Sequence, residues 1–206
     1  MSTPAYWDTA ARELAARDPV LAKLVGRYEG LGVGSRGDAF STLARAIVGQ
    51  QISVKAAQSV WQRLVTEITT MTPANLAAAE VTRLRACGLS GQKTAYLLDL
   101  AQRFTSGALD PARWTELDDE ALIVKLTEVK GIGRWTAEMF LIFYMARPDV
   151  LPVDDVGLQR AMSLQYNAGR PLSKLRMTRI GKRWAPWRSV GTWYLWRSLD
   201  PLPVAT

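Results

Sequence analysis

Two neighbouring carboxylates, Asp154 and Asp155, follow Pro152 and open the stretch Val156-Gly157-Leu158. Upstream of them, Gly131-Ile132-Gly133 is followed directly by Arg134. A carboxylate held on a loop can stabilise a developing positive charge or activate water. Glycines permit backbone angles closed to other residues and let a foreign backbone come close. Where the second glycine opens a helix, free N–H groups point outward and can bind an anion, a DNA phosphate included. Arg134 adds a charge beside that point. Two readings of each feature stay open on these residues alone. The glycines are an anion site or a tight helix–helix turn, and the aspartates are reactive groups or carboxylates that favour a helix start.

What the chain lacks narrows the chemistry further. It contains no histidine, which removes His general bases, His-dependent triads and His-ligated zinc together. Cys87 is the single cysteine, so neither an internal disulfide framework nor a Cys-ligated cluster can form. The net charge of +7 and pI near 9.8 suit a polyanionic partner. No stretch approaches the ~20 uninterrupted apolar residues of a membrane helix. Residues 1–19 lack the cationic start and apolar core of a secretory signal. These features predict an intracellular, cytoplasmic protein, nucleoid-associated if bacterial, with no membrane partner. At 206 residues and 48% hydrophobic, the chain can build one large or two small domains.

The elements that must position these groups read as helix after helix. Trp7 to Arg17 is a short helix ended by Asp18-Pro19, and Pro19 opens the next, to about Tyr28. Glycines 30, 32, 34 and 37 form a joint and a candidate domain boundary. Asp38 caps a helix through Ala44, Ile47 and Val48, interrupted at Gly49, and Ser53 caps a long one bearing Ala57, Val60, Trp61, Leu64 and Val65. Thr72-Pro73 starts a short helix, Cys87-Gly88 ends another, and Ser90 caps one with Ala95, Leu98, Ala101 and Phe104 on one face. Thr115 to Leu126 leads into the glycine turn. Beyond it Trp135, Met139, Ile142 or Phe143, and Ala146 recur at helical spacing, which predicts a buried face, and Pro148 stops that helix. No alternating strand pattern is sustained, so the fold class is all-α.

The last third carries its own signal. From Val156 to Leu199 there is no Asp or Glu, while the same interval holds nine basic residues: Arg160, Arg170, Lys174, Arg176, Arg179, Lys182, Arg183, Arg188 and Arg197. Either this is a solvated basic face or it contacts phosphates, which would supply affinity without specifying sequence. Trp184, Trp187, Trp193 and Trp196 are interleaved, and most of these rings are expected in the core.

The glycine hairpin followed by a proline loop and an aspartate resembles the helix-hairpin-helix DNA glycosylase superfamily. Residues 37–66, GDAFSTLARAIVGQQISVKAAQSVWQRLVT, and 184–197, WAPWRSVGTWYLWR, resemble its 3-methyladenine DNA glycosylase branch. The resemblance spans Asp18 to Leu199. It implies two helical domains flanking an active-site cleft: residues 30–147 with the helix-hairpin-helix, and residues 1–29 plus 148–206 built from both chain ends. It also implies a short form without the mixed α/β domain that larger members carry before this region. Iron–sulfur members use four cysteines, which this chain does not have.

Residue by residue, the resemblance makes Asp155 the catalytic aspartate, three positions before the apolar Leu158. Asp154 would then point elsewhere, capping the helix or bonding a basic residue. Bifunctional members carry a Schiff-base lysine where this chain has Trp135, so a monofunctional hydrolase without lyase activity is expected. Trp135, Met139 and Trp196 match base-pocket positions, and Met139 stands where some relatives have an aromatic ring. Gln50 and Gln51 match the intercalating loop, with Gln51 at the plug position where a relative has an apolar side chain; a plain polar linker is the other reading. Lys130, at a position that is often proline, joins Gly131, Gly133 and Arg134 as phosphate contacts. The hairpin of the family often holds a monovalent cation, Na+ or K+, through backbone carbonyls, here those of Thr127, Val129 and Ile132. No other cofactor is expected.

The implied partner is double-stranded DNA containing damaged bases, bound by a monomer. The implied reaction flips out and hydrolytically excises alkylated purines such as 3-methyladenine or 7-methylguanine in base excision repair. Such bases already carry positive charge, so they leave without a protein acid, and an electron-rich ring attracts them by ~0.5–2 kcal/mol. The competing readings are a glycosylase for etheno-adenine, uracil or mismatched adenine, a non-catalytic helix-hairpin-helix DNA-binding module, and a structural helical domain with no nucleic acid. The acid-free basic interval argues against the last.

Overall fold

The computed structural model describes residues 3–34 and 37–200. The chain ends 1–2 and 201–206, which the sequence assigns to the second domain, lie outside them. Among the described residues all regular structure is helical. The helices are α1 (Trp7–Arg17), α2 (Pro19–Arg27), α3 (Ala39–Gly49), α4 (Val54–Ile68), α5 (Pro73–Ala77), α6 (Val81–Ala86), α7 (Gly91–Thr105), α8 (Asp119–Thr127), α9 (Arg134–Phe143), α10 (Val156–Tyr166), α11 (Lys174–Gly181) and α12 (Arg188–Arg197). Two 3-10 segments, Pro111–Glu116 and Lys182–Trp184, link some of them. No helix among the described residues is long and apolar enough to cross a membrane.

Most starts are set by a side chain that accepts from backbone N–H groups left orphaned at a helix N-terminus. Asp18, Asp38, Ser53, Thr72, Ser90, Asp118, Asp155 and Ser173 all do this. Asp118 moves the start of α8 to Asp119, later than the Thr115 expected, because Pro111–Glu116 winds separately as a 3-10 segment.

The chain divides into two compact units: Met1–Ser35 with Leu141–Thr206, and Arg36–Phe140. The first seam falls past residue 29 because Val33 packs in the core of the terminal unit and Trp7 Nε1 donates to the Leu31 carbonyl at 3.2 Å. The second falls before residue 147 because Tyr6 OH donates to the Ala146 carbonyl at 2.6 Å.

The Arg36–Phe140 unit is built on leucines and isoleucines of α3 to α8, including Leu43, Ile47, Leu64, Leu97 and Leu122. A chain of edge-to-face rings, Phe40, Phe104, Trp114 and Phe140, runs through it with centroids 5.3 to 6.0 Å apart. The buried side of α7 is Thr94, Leu97, Leu100 and Ala101. That is offset by a residue from the face expected, and Ala95 is exposed.

In the terminal unit, α1, α2, α10 and α12 close over Trp7, Leu14, Leu21, Leu158, Met162, Trp184, Trp193 and Tyr194. Asp18 sits inside this core at 1% exposure. Its carboxylate accepts from Val20 N at 2.9 Å, Tyr166 OH at 3.0 Å and Trp184 Nε1 at 3.1 Å. Burial and the Asp18 charge together push the Tyr166 phenol well above its usual range. Asp18→Ala removes a helix cap and strands the buried Trp184 donor and the part-buried Tyr166 hydroxyl, so urea unfolding should show a loss of roughly 2–4 kcal/mol.

Helix α9 departs from the sequence expectation in two ways. It ends at Phe143 rather than at Pro148, because Ala146 turns into the left-handed region at φ 51° and Arg147 N bonds back to the Leu141 carbonyl at 2.9 Å. The apolar stripe is also not buried as expected. Trp135 is 48% exposed and Phe143 41%, with Met139 half-buried between them. The side that packs carries Ala137, Glu138, Phe140, Leu141 and Ile142. An exposed run of large apolar side chains marks a binding surface more often than a core.

Candidate active site and nucleic-acid interface

Asp155 is the N-cap of α10 and is buried, at 9% exposure, whereas the caps Asp38, Ser53 and Asp118 are exposed. Its Oδ1 accepts from Leu158 N at 2.6 Å and from Trp196 Nε1 at 2.7 Å. The carboxylate therefore lies at the positive end of the α10 dipole with its rotamer fixed from two sides. Trp196, on α12, is held in turn by stacking on Phe143 at 5.5 Å and 18°. Gly157 makes room for the pair: a Cβ there would stand 3.1 Å from Asp155 Oδ1 and 3.3 Å from the Trp196 ring. Phe143 and Gly157 are part of this cluster although the sequence did not single them out for it. The α9 stripe was the available signal for Phe143.

Asp154 is exposed and pairs with Lys174. Of the two roles open to it in the sequence, the structure shows the one with a basic residue, and the capping falls to Asp155. The adjacent carboxylates are thus sharply different: one buried and bonded to backbone and indole N–H groups, the other solvated.

The hairpin connects α8 to α9. Val129 N bonds to the Leu126 carbonyl at 3.2 Å and Ile132 N to the Val129 carbonyl at 3.0 Å. Gly131 is required twice over: its φ is +84°, and a Cβ there would run into the Tyr96 ring of α7. Gly133 has neither constraint. A Cβ there would meet nothing within 4 Å, and its position is exposed at the start of α9. Lys130 is exposed, and its backbone N–H donates to Asp99 Oδ2 at 3.0 Å. Arg134, expected as a phosphate contact, has its guanidinium bound to Glu120 at 2.7 Å through both terminal nitrogens and to Glu138 at 3.0 Å through Nε. Those hydrogen bonds push the guanidinium further above its range and hold the Glu120 carboxyl below its own.

Thr127 ends α8, so its carbonyl is among those left without a helical partner. The Val129 carbonyl already accepts one N–H and keeps a second lone pair. With Ile132, these oxygens have the hard, neutral character that suits a monovalent cation. Among the described residues no group of Cys, Asp or Glu side chains has a metal-holding arrangement.

Gln50 and Gln51, paired in the sequence reading, do different things. Gln50 Nε2 donates to the Gly131 carbonyl at 2.7 Å, which ties the α3–α4 loop to the hairpin. Gln51 is exposed in the left-handed region at φ 60°. A non-glycine residue is uncommon there, and the conformation costs backbone energy. Lys93 of α7, missed in the sequence, closes this loop from below. Its Nζ donates to the Val48 and Gln50 carbonyls, each at 2.7 Å, and burial lowers its pKa.

The basic interval is partly neutralised by acids from outside it. Arg188 forms a forked pair with Asp149 at 2.7 and 2.8 Å, Arg183 lies 3.5 Å from Asp18, and Arg197 reaches Asp200 at 3.0 Å. Arg160, Arg170, Arg179 and Lys182 are exposed. Trp184 and Trp193 are core and Trp187 and Trp196 are half-buried, in line with most of these rings being structural.

Residues 44–186 match the family described as HhH-GPD superfamily base excision DNA repair protein. The chain is 33% identical over 182 residues to DNA-3-methyladenine glycosylase 1 of Schizosaccharomyces pombe, covering 86% of this chain and 80% of the relative. The structure is similar to that of DNA-3-methyladenine glycosidase from Bacillus halodurans, with a TM-score of 0.89, 32% identity, and coverage of 98% of this chain and 94% of the other. It is also similar to the S. pombe 3-methyladenine DNA glycosylase in complex with abasic DNA, with a TM-score of 0.78, 30% identity, and coverage of 92% and 96%.

Proposed function

The chain belongs to the HhH-GPD superfamily of base excision DNA repair proteins, and from that premise we propose that it is a monofunctional DNA glycosylase for alkylated purines. The observation that carries the reading is Asp155: a buried carboxylate fixed by a helix start and by Trp196, in a chain without histidine. The S. pombe and B. halodurans proteins compared above carry the name 3-methyladenine glycosylase or glycosidase, and the S. pombe structure is a complex with abasic DNA.

In this reading the target nucleotide leaves the stack, and Trp135, Met139 and Trp196 keep the base-contact roles that the resemblance gives each of them. An alkylated purine is cationic, so ring faces attract it, and it departs as a neutral base. The Asp155 carboxylate stabilises the positive charge left on the sugar, and water adds at C1′ with loss of a proton to solvent. Free base and an abasic site are the products. Gln51 plugs the vacated space. Lys130 and the N–H groups at Gly133 hold a backbone phosphate next to Gly131, and Arg134 positions the α9 start through Glu120. The carbonyls of Thr127, Val129 and Ile132 are the proposed ligands of a Na+ or K+ ion, whose charge would strengthen phosphate binding at the hairpin. The enzyme acts as a monomer on chromosomal DNA inside the cell.

Two measurements separate this from its neighbours. Methylated duplex incubated with the protein should break only after hot alkali; intact strands with every damaged base tried would leave a DNA-binding module. Borohydride should trap no covalent complex, because Trp135 occupies the position where a Schiff base would form and lysines 125 and 130 sit on the first arm of the hairpin. A strong adduct would show that another amine reaches C1′, and the monofunctional reading would be withdrawn.

A further inference from the structure

Lys93 has no part in the chemistry above, yet it holds the loop that carries the plug. Its ammonium bridges the carbonyls of Val48 and Gln50, at the end of α3, with two bonds of 2.7 Å. Gln51, the next residue, lies in the left-handed region at φ 60°. A recess of about 400 Å³ borders it, lined by Gln51, Ile52, Ala56, Gly88 and Lys93 among others, and Val54 just beyond is 85% exposed. The base of Lys93 is rigid, since Ser90 caps α7 through Lys93 N at 3.2 Å. The same helix supports the hairpin, with Tyr96 against Gly131 and Asp99 bonded to Lys130 N. Gln50 then links loop and hairpin directly.

We propose that Lys93 is a positioning residue for Gln51: it fixes the strained plug conformation and couples it to the phosphate-binding hairpin. The proposal rests on the glycosylase reading for its functional consequence. Its physical content is that a loop held by two charge-assisted hydrogen bonds inserts as a preset wedge, whereas without them insertion must also order the loop. Lys93 touches neither base nor phosphate in this scheme. Its loss should therefore spare binding to undamaged DNA and impair only the step in which the plug enters the stack.

The test uses Lys93→Met, which keeps the stem and removes the donors, with Lys93→Arg as the conservative variant. A duplex carrying 2-aminopurine opposite a stable abasic analogue reports plug insertion by fluorescence and requires no catalysis. Lys93→Met should bind undamaged duplex within about twofold of wild type, since phosphate contacts are untouched. It should lose most of the fluorescence rise and slow base release by ~10–100-fold, the scale of a misplaced positioning group. Lys93→Arg should recover much of both. In a Gln51→Ala background Lys93→Met should cost nothing further, because both changes remove the same wedge. Wild-type fluorescence in Lys93→Met, or losses that multiply in the double variant, would overturn the proposal. Should Lys93→Met fail to fold, Lys93→Gln, which is shorter and uncharged and so loses the charge-assisted bridge, is read in the same cycle against the same outcomes. If the wild-type protein released no methylated base, the glycosylase reading would fail, while the fluorescence cycle would still decide the role of Lys93.

Discussion

Asp155→Asn should abolish base release while leaving both the fold and the DNA complex in place. Asn caps helices about as well as Asp, so the bond from Leu158 N survives, and its amide oxygen can still accept from Trp196 Nε1. What disappears is the negative charge that the proposed mechanism sets against the sugar. Electrostatic stabilisation of this kind is worth about 3–4 kcal/mol for one well-placed group, so base release should fall by ~10² to 10³-fold or more. Thermal unfolding should move little, and affinity for methylated duplex should hold or tighten. Asp154→Asn is the internal comparison: it breaks only an exposed pair with Lys174 and should stay near wild type. Rates within a few-fold of wild type for Asp155→Asn would end its assignment. An inactive Asp154→Asn beside an active Asp155→Asn would shift the chemistry by one residue.

The second large effect is expected at the hairpin. Gly133→Val should weaken binding to all duplex DNA, damaged or not, by ~10-fold or more, because a side chain would stand where a phosphate approaches the N–H groups of α9. This position gives a clean test. Its φ lies outside the left-handed region and a Cβ meets nothing, so the protein itself should tolerate the change. Gly131 could not serve, since its backbone angle and the Tyr96 ring make any side chain there a folding defect. Binding by both proteins should still fall steeply with salt, since the substitution removes no cation. Unchanged affinity in folded Gly133→Val would take the hairpin out of the interface.

Much of the framework was legible because helix caps are local chemistry. Asp38, Ser53 and Ser90 each stand at the helix start they foretell, and α1 runs from Trp7 to Arg17 as its periodicity indicates. What the structure adds has a common cause, which is that sequence spacing reveals a stripe but not what the stripe faces. On α9 the spacing of Trp135, Met139 and Phe143 is that of a core face, yet the rings are exposed. The acid-free interval after Val156 looks like a run of available cations, but Asp149, Asp154 and Asp18 fold back to pair with Arg188, Lys174 and Arg183. The same limit applies to Gln50 and Gln51. They are identical in type and adjacent, and only the bond to Gly131 and the φ of Gln51 give one a structural role and the other an exposed tip. Lys93 carries no sequence signal, since a lysine in the first turn of a helix reads as solvated.

The most direct test is to incubate duplex DNA bearing labelled methyl groups with the protein, then separate and identify the released material. Wild-type protein should liberate free 3-methyladenine or 7-methylguanine and leave unbroken strands with alkali-labile sites, and Asp155→Asn should liberate neither. Strands cut without alkali, or bases released equally by wild type and Asp155→Asn, would contradict hydrolytic excision at Asp155.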